Sequence, residues 1–195
     1  KLTFSRCCGI DDYDIKKLLN VESLTLICCK SLYDKYISDN AIKGLYNLKK
    51  LNLYESGYDI TDLGISNLKN IKSLFVPNSK ITNKSLLNLS KYNTIEELDV
   101  SGCNINDNGI KYLQNVKILD ISYSDKITDN GILTLQNITH LGMNCCKNVT
   151  AKSLLNLENL KSIDIFRKDN NLSHQNIEFL QSCGISVYIS QVIDA

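Results

Sequence analysis

Eight cysteines and two histidines are the side chains of this 195-residue chain that are best suited to covalent or metal chemistry. A thiolate beside a histidine can act as a nucleophile, and four thiols together can hold a zinc ion. Cys7, Cys8, Cys28 and Cys29 form two adjacent pairs in the sequence. Three interpretations are open for them: free thiols, a disulfide between Cys7 and Cys29, or a zinc site. We prefer free thiols, because Cys8 and Cys28 take different offsets in the repeat described below and should point in different directions.

The histidine with the clearest catalytic alternative is His140. Neighbouring concave positions in the units before and after it hold Ser122 and Ser162, so a hydroxyl or thiol activated by His140 would make the chain an enzyme. Hydroxyl and imidazole side chains are, however, common on exposed strands. The sequence also contains no phosphate loop, paired metal-ligand motif or nucleophile elbow. We therefore expect no enzymatic activity, no catalytic residues, no cofactor and no bound metal.

The overall charge narrows the classes of partner. The chain has 22 basic and 21 acidic residues, and its formal net charge is +1. A nucleic-acid-binding surface needs a basic excess to bind phosphates, so we expect no nucleic-acid partner. No stretch approaches the roughly 18 uninterrupted apolar residues of a membrane-spanning helix, so we also expect no membrane span.

A repeated apolar-x-apolar pair organises the whole sequence. The distance between first members ranges from 21 residues, between Leu98 and Leu119, to 27 residues, between Leu24 and Leu51. Nine copies at such similar spacing predict a solenoid in which each unit supplies one strand of a parallel sheet. The pairs are Leu2/Phe4, Leu24/Leu26, Leu51/Leu53, Leu74/Val76, Leu98/Val100, Leu119/Ile121, Leu141/Met143, Ile163/Ile165 and Val187/Ile189.

A second pattern follows each of the first eight pairs and predicts a short helix. Its clearest copies are residues 60–65, 105–110 and 127–132, in which Thr or Asn stands beside Asp. These side chains are typical of a helix N-cap, where an oxygen accepts an orphan backbone N–H. Apolar residues then continue at helical spacing, and a glycine inside each copy leaves room for a neighbouring helix. The unit is therefore a strand, a turn, a short helix and a return.

A small polar side chain recurs three residues after the second member of each pair. The chain should turn off the strand there, so this side chain can point inward and bond neighbouring backbone carbonyls. A thiol and a hydroxyl both meet that requirement. We call these residues the inner ladder: Cys7, Cys29, Ser56, Ser79, Cys103, Ser124 and Cys146, with Lys168 at the same position of the eighth unit.

The combined pattern resembles the cysteine-containing class of leucine-rich repeats, which is typical of the substrate-binding domains of F-box proteins. Residues 99–110 are the best single copy, whereas Lys168 and the ladder serines depart from the pattern. The resemblance implies an α/β horseshoe, a solenoid with about nine parallel strands on the concave face and short helices on the convex face. It also implies a protein-binding role in a reducing, intracellular setting, which we take to be cytoplasmic.

The resemblance covers residues 1–195, which we predict to be one monomeric leucine-rich-repeat domain of eight to nine repeats, each of 21–27 residues. Since Lys1 already lies within a repeat, we expect the native chain to be longer. The predicted function is a protein–protein interaction module that binds its partner on the concave face and adjacent loops. The alternatives are a substrate-recognition domain of an F-box-type ubiquitin ligase, an architectural spacer, and a Cys/His enzyme.

Candidate contact residues follow from the alternation of side chains along a strand, which turns the residues flanking each buried pair toward the concave surface. Aromatic and apolar side chains concentrate there on the second to fourth units and in the long turn of the second unit. Such residues are enriched at protein interfaces. We call them the aromatic patch: Ile27, Tyr33, Tyr36, Tyr54, Tyr58, Phe75 and Pro77.

Acidic residues hold the equivalent positions on the next two units. Glu97, Asp99 and Asp120 form what we call the acidic strip. Because complementary charge selects partners, this strip favours a basic protein partner.

Overall fold

The computed structural model describes residues 1–32, 35–166 and 171–190. Within these residues, nine strands form a single parallel sheet and are hydrogen-bonded in chain order, as the nine apolar pairs predict. The strands are β1 (Leu2–Ser5), β2 (Ser23–Ile27), β3 (Lys50–Asn52), β4 (Ser73–Phe75), β5 (Glu97–Asp99), β6 (Ile118–Asp120), β7 (His140–Gly142), β8 (Ser162–Phe166) and β9 (Ser186–Ser190).

The sheet is in the register that the repeat predicts. First members of the pairs lie side by side, as Leu51 does with Leu74 and Leu98 does with Leu119. In the middle of the array these side chains are 0–1% exposed, whereas Leu2 at one end is only half-buried because it has a neighbour on one side alone. Burial of the apolar pair is thus shared between adjacent units, which is how a solenoid builds a continuous core.

Short helices connect successive strands on the opposite side of the core. Among the described residues they are α1 (Asp12–Ile15), α2 (Asp39–Ile42), α3 (Asp62–Ile65), α4 (Asn83–Ser90), α5 (Asp107–Ile110), α6 (Asp129–Ile132), α7 (Ala151–Leu154) and α8 (His174–Ser182). The predicted N-caps are present: Thr61, for example, accepts a hydrogen bond from the Leu63 amide with its hydroxyl oxygen. These helices of one or two turns are too short to be stable alone, so packing against the stack must hold them.

The aspartate that follows most N-caps has a role that the sequence did not reveal: it joins one unit to the next. Asp39 accepts hydrogen bonds from the Thr61 amide at 2.8 Å and from the Thr61 hydroxyl at 2.6 Å. Asp62 binds Thr82 in the same way. We call this series the aspartate ladder: Asp12, Asp39, Asp62, Asp107 and Asp129, with Asn83 in the equivalent place.

The aspartate ladder also explains why the helices carry a small residue. A Cβ atom on Gly64 would lie 2.4 Å from Asp39 Oδ1, and one on Gly131 would lie 2.4 Å from Asp107 Oδ1. Where serine replaces the glycine, its hydroxyl adds a bond, since Ser85 donates to Asp62 at 2.6 Å. The sequence predicted close helix packing there; the structure shows that the neighbour is a carboxylate.

After each of the first seven strands, the residue directly before the inner ladder lies in the left-handed region. Gly102 has a φ of 68° and precedes Cys103, and the non-glycine Tyr123 has a φ of 63° and precedes Ser124. The remaining residues of this series are Arg6, Cys28, Glu55, Asn78 and Cys145. This conformation turns the chain off the strand, sending the ladder side chain inward.

Candidate functional site

The buried cysteines of the inner ladder donate to backbone carbonyls of the preceding unit, whereas the buried hydroxyl of Ser124 has no hydrogen-bond partner among the described residues. Cys29 Sγ donates to the Phe4 carbonyl at 3.6 Å, Cys103 Sγ to Val76 at 3.5 Å, and Cys146 Sγ to Ile121 at 3.2 Å. Burial raises the pKa of Cys146 to about 12. A thiol that stays protonated at neutral pH is a poor nucleophile, so these residues serve the fold.

The paired cysteines at the start of the array remain separate thiols. Cys7, Cys8, Cys28 and Cys29 are free thiols, and Cys28 donates to Glu55 Oε2 at 2.9 Å. That hydrogen bond, followed by burial, raises the pKa of Cys28. The described residues, which include these four cysteines, bring no three His, Cys, Asp or Glu side chains into a metal-binding group. The geometry therefore gives no support to the zinc alternative.

Among the described residues, no hydrogen bond joins His140 to Ser122 or to Ser162, although Ser162 is its register partner on β8. The Nδ1 atom of His140 lies 2.8 Å from the hydroxyl of Thr139. Ser122 instead accepts hydrogen bonds from the backbone amide and the side-chain amide of Asn144. Ser162 is only 4% exposed. Neither hydroxyl is arranged for attack on a substrate through His140.

The aromatic patch is partly exposed. Tyr54 is 49% exposed, and Ile27 and Phe75 are half-buried beside it on the concave face. Pro77 is buried, so its expected place on the open surface is wrong. Tyr54, two residues beyond β3, and Phe75 on β4 therefore remain as the ring-bearing members beside the sheet.

The turn beside this patch holds a second pair of rings. Tyr36 and Tyr58 meet edge to face, with 4.5 Å between ring centroids, and Lys30 Nζ lies 4.9 Å from the Tyr36 centroid. Burial, and then the charge of Glu55, raises the pKa of Tyr58. Tyr33 and Lys168 lie outside the described residues. The described rings form a rim that continues from the concave face into the turn.

The three carboxylates of the acidic strip differ in the hydrogen bonds that they accept within the protein. Glu97 accepts the Ser73 hydroxyl at 2.7 Å. Asp99 accepts the Ser101 amide at 2.9 Å and its hydroxyl at 2.7 Å. Burial raises the pKa of Asp99 although these bonds lower it, and the nearby charge of Asp120 adds to the rise. Asp120 accepts the Ser122 amide through Oδ1 alone.

A shallow cleft extends the acidic strip toward β8, which the sequence did not single out. Its volume is about 150 Å³, and its polar and charged lining includes Asp99, Asp120, His140 and Asp164, with Phe75 and Ile118 as apolar walls. Asp164 stood in the predicted solvent-facing series, and repetition of aspartate across the units was the signal that could have identified it. The cleft also depends on Gly142, because a side chain at that position would meet the Asp120 carboxylate that lines it.

The centre of the array matches a family model for leucine-rich repeats, over residues 93–113 and 112–135. Together with the nine-stranded solenoid, this match decides the family. This chain is a leucine-rich-repeat protein. No curated protein matches its sequence.

Several solved structures share the fold of this leucine-rich-repeat protein. A structure of Rad7 with Elc1 from yeast superposes with a TM-score of 0.74 at 21% identity, covering 94% of this chain and 52% of that one. Internalin C2 from Listeria monocytogenes gives 0.65 at 20% identity, covering 94% of this chain and 77% of that one. A leucine-rich-repeat protein of Leptospira interrogans gives 0.59 at 19%, covering 92% and 51%.

The leucine-rich-repeat protein thus spans about half of Rad7, at 52% of that chain. Because these sequence identities are low, the structural similarity shows the fold alone. Among the helices of the described residues, none has the length and apolar character needed to cross a bilayer.

Proposed function

We propose that this leucine-rich-repeat protein binds a protein partner on its concave sheet face and the adjacent turns. The fold supports a protein–protein interaction module, because a rigid solenoid presents a broad surface without ordering cost on binding. The observation that carries the proposal is the aromatic patch: Tyr54 is 49% exposed on a curved, otherwise well-packed sheet.

The aromatic patch is suited to anchor a partner. Tyrosine is enriched among the few residues that dominate binding energy, since it buries a large ring and keeps a hydroxyl for hydrogen bonding. Phe75 lies on β4, and its register partner on β3 is Asn52. Tyr36 and Tyr58 extend the rings into the turn, where their mutual packing holds them in place.

The acidic strip makes the proposed partner basic. Asp99 and Asp120 are register neighbours on β5 and β6, so their charges reinforce one another. We propose a monomeric domain acting in a reducing compartment, the cytoplasm, because buried neutral thiols are then kept free. As a finer possibility within this class, we propose substrate recognition for an F-box-type ubiquitin ligase; the cysteine-bearing inner ladder and the fold likeness to Rad7, solved with Elc1, favour it.

A site-specific photo-crosslinker tests the binding face. Benzoylphenylalanine is introduced by Tyr54→benzoylphenylalanine in the full-length protein, and crosslinked products are identified by mass spectrometry in the native cells. The matched control is Leu63→benzoylphenylalanine, because Leu63 is apolar and 69% exposed on helix α3. We expect one protein to be crosslinked at least about fivefold more strongly from position 54 than from position 63.

Equal labelling from both positions would contradict the concave-face proposal, and so would labelling from position 63 alone. Crosslinking to a nucleic acid instead of a protein would contradict the proposed class of partner.

A further inference from the structure

The second half of the concave face combines acidic and aromatic side chains on adjacent strands. Asp120 on β6 is the register partner of Gly142 on β7, and Gly142 is the partner of Asp164 on β8. A residue without a side chain therefore separates two carboxylates, so no side chain of β7 fills the space between them.

The Asp120 carboxylate leans into that space. A Cβ atom placed on Gly142 would lie 2.6 Å from Asp120 Cγ and 2.7 Å from Oδ2. Gly142 does not have a positive φ, so its backbone does not require glycine. The absence of a side chain there is instead what allows Asp120 to reach toward Asp164.

Aromatic rings border the same position. Asp164 is the register partner of Tyr188, which is 57% exposed. Two residues along β8, on the same face as Asp164, Phe166 meets Tyr123 edge to face with 6.3 Å between centroids. Tyr123 is itself 58% exposed, although its backbone lies in the left-handed region.

The strands that form this surface carry more acidic than basic side chains. Among the described residues of β5 to β8, His140 is the one basic side chain, against three aspartates and one glutamate. Burial, and then the charge of Asp120, raises the pKa of Asp164, while His140 opposes this rise. A cation arriving between the carboxylates would relieve their mutual repulsion.

We propose that this part of the concave face docks a basic segment of the protein partner, with one arginine side chain seated between the carboxylates of Asp120 and Asp164. The inference rests on the proposed function and specifies the chemistry of its partner. Arginine fits better than lysine for two reasons. Its planar fork can bond two carboxylates at once, and its guanidinium packs favourably against aromatic faces such as that of Tyr188.

Fluorescein-labelled octa-arginine is the probe, with octalysine and octacitrulline as matched peptides. Fluorescence anisotropy measures their binding to the full chain and to the variants Asp120→Asn, Asp164→Asn and Gly142→Ala. Glu158→Gln is the control, because it removes the same charge from an exposed position in a return turn. Thermal unfolding of each variant establishes that the fold is intact.

We expect octa-arginine to bind more tightly than octalysine, and octacitrulline to bind least. Each cleft variant should weaken octa-arginine binding about tenfold, since each removes or displaces a charge-assisted contact. The control should stay within about twofold of the native chain. Gly142→Ala keeps every charge, so its effect reports the position of the Asp120 carboxylate, which the added methyl group would displace.

Equal losses in the control and the cleft variants would overturn the proposal, because they would indicate attraction by net charge alone. Unchanged binding in both aspartate variants would also overturn it, as would a preference for octalysine. These outcomes are separable from the crosslinking result. Crosslinks from Tyr54 combined with no octa-arginine binding would leave the proposed function standing and remove this inference.

Discussion

The inner ladder and the aspartate ladder both join adjacent units, but they do so by different physics. The inner ladder uses small neutral groups in a dry turn, as in the bond from Cys103 Sγ to the Val76 carbonyl at 3.5 Å. The aspartate ladder uses a carboxylate at the edge of the core. Asp62, for example, accepts from the Thr82 amide, the Thr82 hydroxyl and the Ser85 hydroxyl.

This difference accounts for what each position tolerates. The inner ladder mainly limits the volume of the side chain. A thiol hydrogen bond is weak, and serine replaces cysteine at three of the seven described positions: Ser56, Ser79 and Ser124. The aspartate ladder constrains charge and geometry, because several donors converge on one carboxylate and would be left unsatisfied without it.

The largest effect is expected from overfilling the inner ladder. Cys103→Tyr places a large ring in a site that is 6% exposed, so it should destabilise the centre of the array by about 3 kcal/mol or more. Thermal unfolding followed by circular dichroism measures the loss. Cys103→Ser is the control and should behave nearly like the native chain. An unchanged melting temperature for the tyrosine variant would show that volume does not govern this ladder.

Removing one carboxylate from the aspartate ladder should have the next largest effect. Asp62→Ala deletes the acceptor of three hydrogen bonds and should reduce the free energy of unfolding by about 1.5–3 kcal/mol. Denaturant titration measures the change, with Asp125→Ala as an exposed acidic control. If both variants lose the same stability, then the cross-unit bonds are not responsible.

A lower pH should weaken the hydrogen bonds of the aspartate ladder. It should also remove the energetic cost of the ionised Asp99 carboxylate on the concave face. Burial raises the pKa of Asp62, but hydrogen bonds from Ser85 and Thr82 outweigh it and hold that pKa below its usual value. The stabilisation is therefore present above the unfolded-state pKa of about 3.9 and is lost as the pH falls through the lower folded-state pKa. For Asp99, whose pKa is raised by burial, the sign is opposite: ionisation costs stability at neutral pH, and the cost disappears on acidification.

Denaturant titrations at pH 7, 5 and 3 measure this linkage. The stability difference between the native chain and Asp62→Ala should shrink at the lowest pH, whereas Asp99→Asn should be at least as stable as the native chain at pH 7. A difference for Asp62→Ala that grows on acidification would reverse the assigned sign.

The smallest perturbation is chemical labelling, which distinguishes ladder thiols from surface thiols without altering the fold. Cys8 and Cys183 are exposed and should be alkylated within minutes, whereas the buried Cys29, Cys103 and Cys146 should react only after unfolding. Peptide mapping under non-reducing conditions provides the readout. A bridged peptide joining Cys7 to Cys29 would contradict the free-thiol interpretation.

Most of the strand arrangement was predictable from local pattern. The spacing of pairs such as Leu51/Leu53 and Leu98/Val100 fixes which residues share the core, because a solenoid repeats one unit and side chains alternate along each strand. The N-cap at Thr61 was equally readable, since capping depends on residues close in sequence. The predicted places of Tyr54 and Asp120 on the concave face came from the same alternation.

The contacts between units were less accessible to sequence reasoning. Alternation along the strand did not predict the burial of Pro77, and the position of the Asp120 carboxylate over Gly142 depends on a residue 22 positions away. The exposure of Tyr123 follows from its left-handed backbone conformation, which is not expected of a tyrosine from sequence alone.

The sequence by itself determined the repeat, its strand register and the small size of the residues at each turn, because those features follow from spacing and volume within one unit. Tertiary structure alone decided that Asp39 reaches Thr61, that Gly64 makes room for that carboxylate, and that a cleft opens between β6 and β8. The physical reason is that hydrogen bonds and open space arise between units, where side-chain direction and sheet curvature fix distances that spacing along the chain leaves undefined.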